Sequence, residues 1–106
     1  MTAGLLLVLT EAGGDRARAA IETAAAAAAL GRPVAVLLRG GAAAALRHGG
    51  MDPALALFDG LGAEIVCCQT AMAEQGVAAA DLPAGVVPGG LVGFLAGREG
   101  WQILLG

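Results

Sequence analysis

Two short stretches, Gly4–Thr10 (GLLLVLT) and Val34–Leu38 (VAVLL), are apolar almost without a break. A strand with one face in water alternates apolar and polar residues, because successive side chains point to opposite faces. An unbroken run of this length suits a strand covered on both faces, the situation of a parallel sheet flanked by helices. That requirement constrains the chain more than any other feature, since parallel neighbours need long crossovers between them.

The intervening sequence supplies them. After a turn at Glu11-Ala12-Gly13-Gly14, Asp15 is the expected N-cap of a helix over Arg16–Leu30, closed by Gly31. Ala17, Ala20, Ile21, Ala24, Ala27 and Ala28 fall on one face, while Arg16, Arg18 and Glu22 point outward. Beyond the second strand, Arg39-Gly40-Gly41 turns into a short helix over Ala42–Arg47, broken at His48-Gly49-Gly50-Met51. Asp52-Pro53 is a helix start, for a helix ending before Gly62. Ile65–Cys67 is the third strand and Gln69–Gln75 a helix closed by Gly76. Val77–Pro83 is a short helical or irregular link, and Gly85–Val87 a brief fourth strand. Pro88-Gly89-Gly90 turns into a helix over Leu91–Ala96, and Trp101–Leu105 is the last strand. Strand and helix alternate throughout, which is the α/β class: a parallel sheet between helical layers, in a single domain over residues 1–106.

Composition narrows the function classes. All six basic residues are Arg, against nine acidic ones, for a net charge of −3. No basic stripe exists to neutralise phosphates, which argues against nucleic acid. Met1-Thr2-Ala3-Gly4 has no positive leader and Leu5–Leu9 is too short for a secretory core, so a cytoplasmic location is expected. No run approaches the roughly 20 apolar residues of a membrane span. Mean hydropathy is +0.77, high for a monomer, and implies apolar surface shared between subunits.

Little of the sequence carries chemistry. Cys67 and Cys68 sit where the third strand feeds a helix, and ligands collect at the carboxyl ends of parallel strands. A helix start favours a thiolate there. Adjacent cysteines close no useful loop, so reduced thiols are expected. As strand neighbours they face opposite ways. Cys68, nearer the helix start, is the candidate nucleophile, and Cys67 is expected to turn inward as core filling. Gln69 and Thr70 open the helix beside them. Arg39 follows the second strand onto the same edge, able to assist a thiolate or hold an anion. The pairs Gly13-Gly14, Gly40-Gly41 and Gly89-Gly90 also follow strands, and together offer backbone N–H groups to an anion. No GxGxxG or Walker run accompanies them, and such pairs arise readily in a chain with 18 Gly. His48 is a lone imidazole expected in solvent, and two adjacent Cys with one His make no metal site. No cofactor is implied.

The segment Cys68-Gln69-Thr70-Ala71-Met72, followed by Gly76, Leu82, Gly85-Val86 and Gly89-Gly90, resembles the DsrE/DsrF-like (YchN-like) proteins, a sulfur-relay family. So does the opening LLLVLT with Asp15, the Ala-rich helix and Gly31-Arg32-Pro33-Val34. Ala71 stands where the family frequently has Ser. The resemblance implies a three-layer α/β/α sandwich around a five-stranded parallel sheet. It implies a homo-oligomer, trimer or hexamer. It also implies a sulfur transferase of the persulfide-carrier type, with Cys68 taking sulfur from one thiol-bearing partner and yielding it to another. Two other classes stay open: a non-catalytic assembly subunit whose cysteines merely pack, and a small-ligand or nucleotide module at the glycine turns.

Overall fold

The computed structural model describes residues 3–11, 13–49 and 53–106, without the side chains of residues 47–49. Five parallel strands form one sheet: β1 (Leu5–Leu9), β2 (Val34–Leu38), β3 (Glu64–Cys68), β4 (Val86–Gly89) and β5 (Gln102–Leu105). Their spatial order is β4-β3-β2-β1-β5. Every residue of β1 and β2 is buried, as the unbroken apolar runs require. Leu5, Leu7 and Leu9 face one layer, and Leu6 and Val8 the other.

The first layer contains α1 (Asp15–Ala29), two 3₁₀ segments (Gly40–Gly49 and Pro53–Phe58) and α2 (Gln69–Gln75). Ala17, Ala20, Ile21, Ala24 and Ala28 of α1 are buried as their helical spacing anticipates, together with Ala25. Asp15 is the first helical residue rather than the cap; Gly14, at φ 86°, turns the chain into the helix. Asp15 in the first turn still complements the helix dipole. Leu30 caps the other end and Gly31 follows at φ 91°. The expected cap Asp52 lies outside the described residues. The two 3₁₀ segments bury Ala43 with Leu46 and Leu55 with Phe58. Residues three apart stack on one ridge of a 3₁₀ helix, so this spacing suits the tighter form.

The second layer is thinner than the sequence led us to expect. Among the described residues it holds one helix, α3 (Leu91–Leu95), whose Phe94 packs on Leu6, Val8, Ala35, Leu37 and Val66. The reason is topological. The first three crossovers step one strand at a time in the same direction, and right-handedness sends all of them to one face. Only the β4-to-β5 connection runs back across the sheet, so only α3 lands on the other face. Register aligns Val66 with Val87, Leu6 with Ile103 and Val8 with Leu105. Val87, Ile103 and Leu105 therefore share the α3 face, and they are 48%, 59% and 65% exposed.

Contacts at the amino edge of the sheet hold this thin layer in place. Arg98 pairs with Glu64 and donates to the Phe94 carbonyl, and its guanidinium lies 5.1 Å from the Phe94 ring and 5.5 Å from the Trp101 ring. The Trp101 ring in turn covers Gly4, where a Cβ would stand 2.2–2.4 Å from ring carbons. Arg32 donates to the Ala3 carbonyl (2.9 Å) and to Gln102 Oε1 (2.6 Å), tying the ends of β1 and β5 together.

Pro88 and Gly89 belong to β4 rather than to a turn after it. Proline lacks the ladder donor, but β4 is an edge strand, where that loss is tolerated. Among the described residues no helix is long and apolar enough to cross a membrane.

Candidate functional site at the carboxyl edge of β3

β3 ends in the two cysteines, and the pleat sends them to opposite faces. Cys67 turns into the α1 layer, is fully buried and belongs to the main core. Cys68 turns toward the α3 side, is half-buried and touches both core clusters. Both are free thiols. Burial pushes the Cys67 thiol up to about 11, with the neighbouring Cys68 a lesser cause. Cys67 therefore stays protonated at neutral pH and is closed to solvent, the state of an inert structural thiol.

Cys68 opens onto a cavity of about 400 Å³ lined by Thr10, Arg39, Gly40, Thr70, Ala71 and Glu74. The lining comes from the carboxyl ends of three adjacent strands and the face of α2. The Arg39 N–H donates to the Leu9 carbonyl (2.9 Å), and Gly40 and Gly41 pass close to the Thr10 carbonyl, so β2's exit is folded against β1's. Thr70, Ala71 and Glu74 lie three and four residues apart on α2, hence on one side of it. Neither Arg39 nor Glu74 has an ion-pair partner among the described residues.

Strand order opens a second crevice beside this cavity, which itself has no lining residue from β4. After β3 the chain leaves for the α1 face, and after β4 for the α3 face. Where neighbouring strands send their connections to opposite faces, a crevice opens outside their carboxyl ends. Register puts Cys68 beside Gly89 at that point. Gly89 is itself tight: a Cβ there would stand 2.7 Å from a Val66 methyl.

The candidate residues divide. Arg39 and Thr70 join Cys68 in one cavity. Gln69 is exposed outside it. Gly89 and Gly90 border a separate groove beneath α3, with Phe94, Arg98 and Trp101. Gly13 and Gly14 line a third hollow of about 170 Å³ between α1 and the 3₁₀ segments. The three glycine turns share an edge but not a pocket, so they do not form one anion-binding floor. The helix start contributes less than the sequence suggested. Cys68 is the N-cap of α2, but its side chain makes no capping hydrogen bond and α2 is only seven residues long. The cation in the cavity is Arg39.

The backbone of His48 falls in the first 3₁₀ segment, and its side chain lies outside the described residues. No group of three or more His, Cys, Asp and Glu side chains converges to hold a metal among the described residues. Met72 is buried in the core. Sequence reading missed Thr10 and Glu74. Glu74 stands one turn after Thr70, a helical spacing that carries the signal once Thr70 is a candidate.

No protein-family model matches the chain, and no curated protein matches its sequence. Solved structures share its architecture, the following two among them. A protein of unknown function from Methanobacterium thermoautotrophicum, MTH1491, superposes with a TM-score of 0.81 at 19% identity, covering 99% of this chain and 100% of that one. The ychN protein of E. coli superposes with a TM-score of 0.78 at 17% identity, with coverages of 99% and 100%. At these identities the likeness is one of fold, end to end. The chain has the YchN-like fold, the architecture its sequence resemblance implied.

Proposed function

We propose that this protein carries sulfane sulfur on Cys68. The observation behind this reading is the division of labour between adjacent thiols: one sealed in the core, the other facing an open cavity with a cation, at the carboxyl edge of the sheet. The YchN-like fold and the sequence resemblance to sulfur-relay proteins support it. In the step proposed, the Cys68 thiolate attacks the outer sulfur of a hydropersulfide. A new S–S bond forms, the donor's S–S bond breaks, and the donor leaves as a thiolate. A thiolate acceptor then attacks the outer sulfur of the Cys68 persulfide and regenerates Cys68. No external oxidant or reductant is needed. Cys67, neutral and buried, takes no part.

A persulfide donor and intact-mass measurement test this. The wild type and Cys67→Ala should each gain one sulfur per chain, and Cys68→Ala none. Equal gain in Cys68→Ala rules the reading out.

A homo-oligomer, trimer or hexamer, belongs to the same proposal. Ile103 and Leu105 expose a sheet face that α3 leaves uncovered, and exposed apolar patches mark interaction surfaces. Light scattering should give a multiple of the 10.3 kDa chain, and Ile103→Glu with Leu105→Glu should reduce it. A cytoplasmic setting, where thiols stay reduced, fits both readings.

A further inference from the structure

The Cys68 cavity holds two charges of opposite sign that are not paired with each other. Arg39 reaches it from the end of β2 and Glu74 from the second turn of α2, with the thiol between their elements on β3. Opposite charges brought to one small site usually form an ion pair. Here none joins them, and neither has another partner among the described residues. A space flanked by an unpaired guanidinium and an unpaired carboxylate is complementary to a zwitterion. Its anionic end meets Arg39, which binds carboxylates as a fork, and its ammonium meets Glu74.

Resting on the carrier reading above, the geometry points to a donor that is a free α-amino acid persulfide, such as cysteine hydropersulfide. Arg39 takes its carboxylate, Glu74 its ammonium, and its outer sulfur is presented to Cys68. The Cys68 thiolate bonds to that outer sulfur, the amino acid's S–S bond breaks, and the free amino-acid thiolate leaves. Cys68 is the reacting residue. Arg39 and Glu74 are specificity residues that select this donor over neutral, wholly anionic or wholly cationic ones. Arg39 is partly buried and Glu74 exposed, so these contacts are worth a modest rate factor, weakened by salt.

Symmetric disulfides give stable probes of the same recognition, because the Cys68 thiolate attacks them to form a mixed disulfide visible by intact mass. Cystine carries both charges on each half. Dithiodiethanol carries none. The measured quantity is the ratio of their rates on the intact chain. Arg39→Gln and Glu74→Gln should each lower that ratio about threefold to tenfold, and Arg39→Lys and Glu74→Asp should recover part of it. Dithiodipropionate, with carboxylates only, should slow in Arg39→Gln and quicken slightly in Glu74→Gln, which removes a like charge, and cystamine, with ammoniums only, should do the reverse. High salt should flatten all the ratios. If the ratio is unchanged in both glutamine variants, or all four disulfides respond alike, zwitterion recognition is wrong and the carrier reading survives. If Cys68 reacts with none of the disulfides and takes sulfur from no persulfide, the carrier reading fails with it.

Discussion

Titrating Cys67 probes the core directly, because this chain is free of the groups that usually obscure alkaline titrations. It has no Tyr, and its six basic residues are all Arg. The phenols and amines that ordinarily titrate between pH 9 and pH 11 are therefore missing from its side chains. Burial holds the Cys67 proton up to about 11, against an ordinary value of 9.0. Below pH 9 the folded and unfolded chains both keep this proton, and the contribution to stability is complete. From pH 9 upward the unfolded chain releases it while the folded chain does not, so stability falls and is lost as pH passes through about 11. Two powers of ten in proton affinity correspond to a loss of about 2–3 kcal/mol. For a domain this size it lowers Tm by roughly 10–20 °C. Urea unfolding at half-unit steps from pH 8 to pH 11, followed by the fluorescence of the single Trp, measures it. The fall should persist in Cys68→Ala and largely vanish in Cys67→Ala, which starts about 1 kcal/mol less stable from loss of a buried sulfur. A flat wild-type profile, or an equal fall in Cys67→Ala, would refute the assignment of Cys67 to the sealed core.

In the folded protein a maleimide should label Cys68 rapidly and Cys67 only in denaturant, read by peptide mapping. Gly4→Ala should cost about 1–3 kcal/mol and shift Trp101 emission, because the new methyl must displace the ring lying over Gly4. Arg98→Ala should cost about 1–2 kcal/mol in urea unfolding. That figure reflects two lost ring contacts and a pairing with Glu64, whose side chain is 53% exposed and so partly screened.

Much of the fold is legible because burial on two faces leaves a plain mark. β1 and β2 declare themselves by apolar runs with no alternation, and α1 by the period of Ala17, Ala20, Ile21, Ala24 and Ala28. Pro88 misleads, since Pro-Gly-Gly reads as a turn wherever the strand's place in the sheet is unknown; only at an edge can it be strand. The 3₁₀ form of Gly40–Phe58 is hidden for a related reason. Apolar spacing reports which residues are buried, not whether the hydrogen bonds reach back three residues or four.

The site was half legible. The cysteine pair at a strand-to-helix junction is local information, and the pleat alone distinguishes Cys67 from Cys68. Strand order is not local, so the gathering of Thr10, Arg39, Cys68 and Glu74 around one cavity was out of reach, as was the separation of the glycine turns into different hollows. Glu74 reads as an ordinary solvated charge on a short helix until Arg39, thirty-odd residues upstream, is brought to the same cavity.

The most direct test follows a sulfur atom through Cys68. The protein is loaded with a persulfide whose outer sulfur is isotopically heavy, freed of donor, and then mixed with an acceptor thiol. The heavy sulfur should map to the Cys68 peptide and then leave for the acceptor, in the wild type and in Cys67→Ala but not in Cys68→Ala. Label found on Cys67, or label on Cys68 that no thiol can remove, would contradict the account.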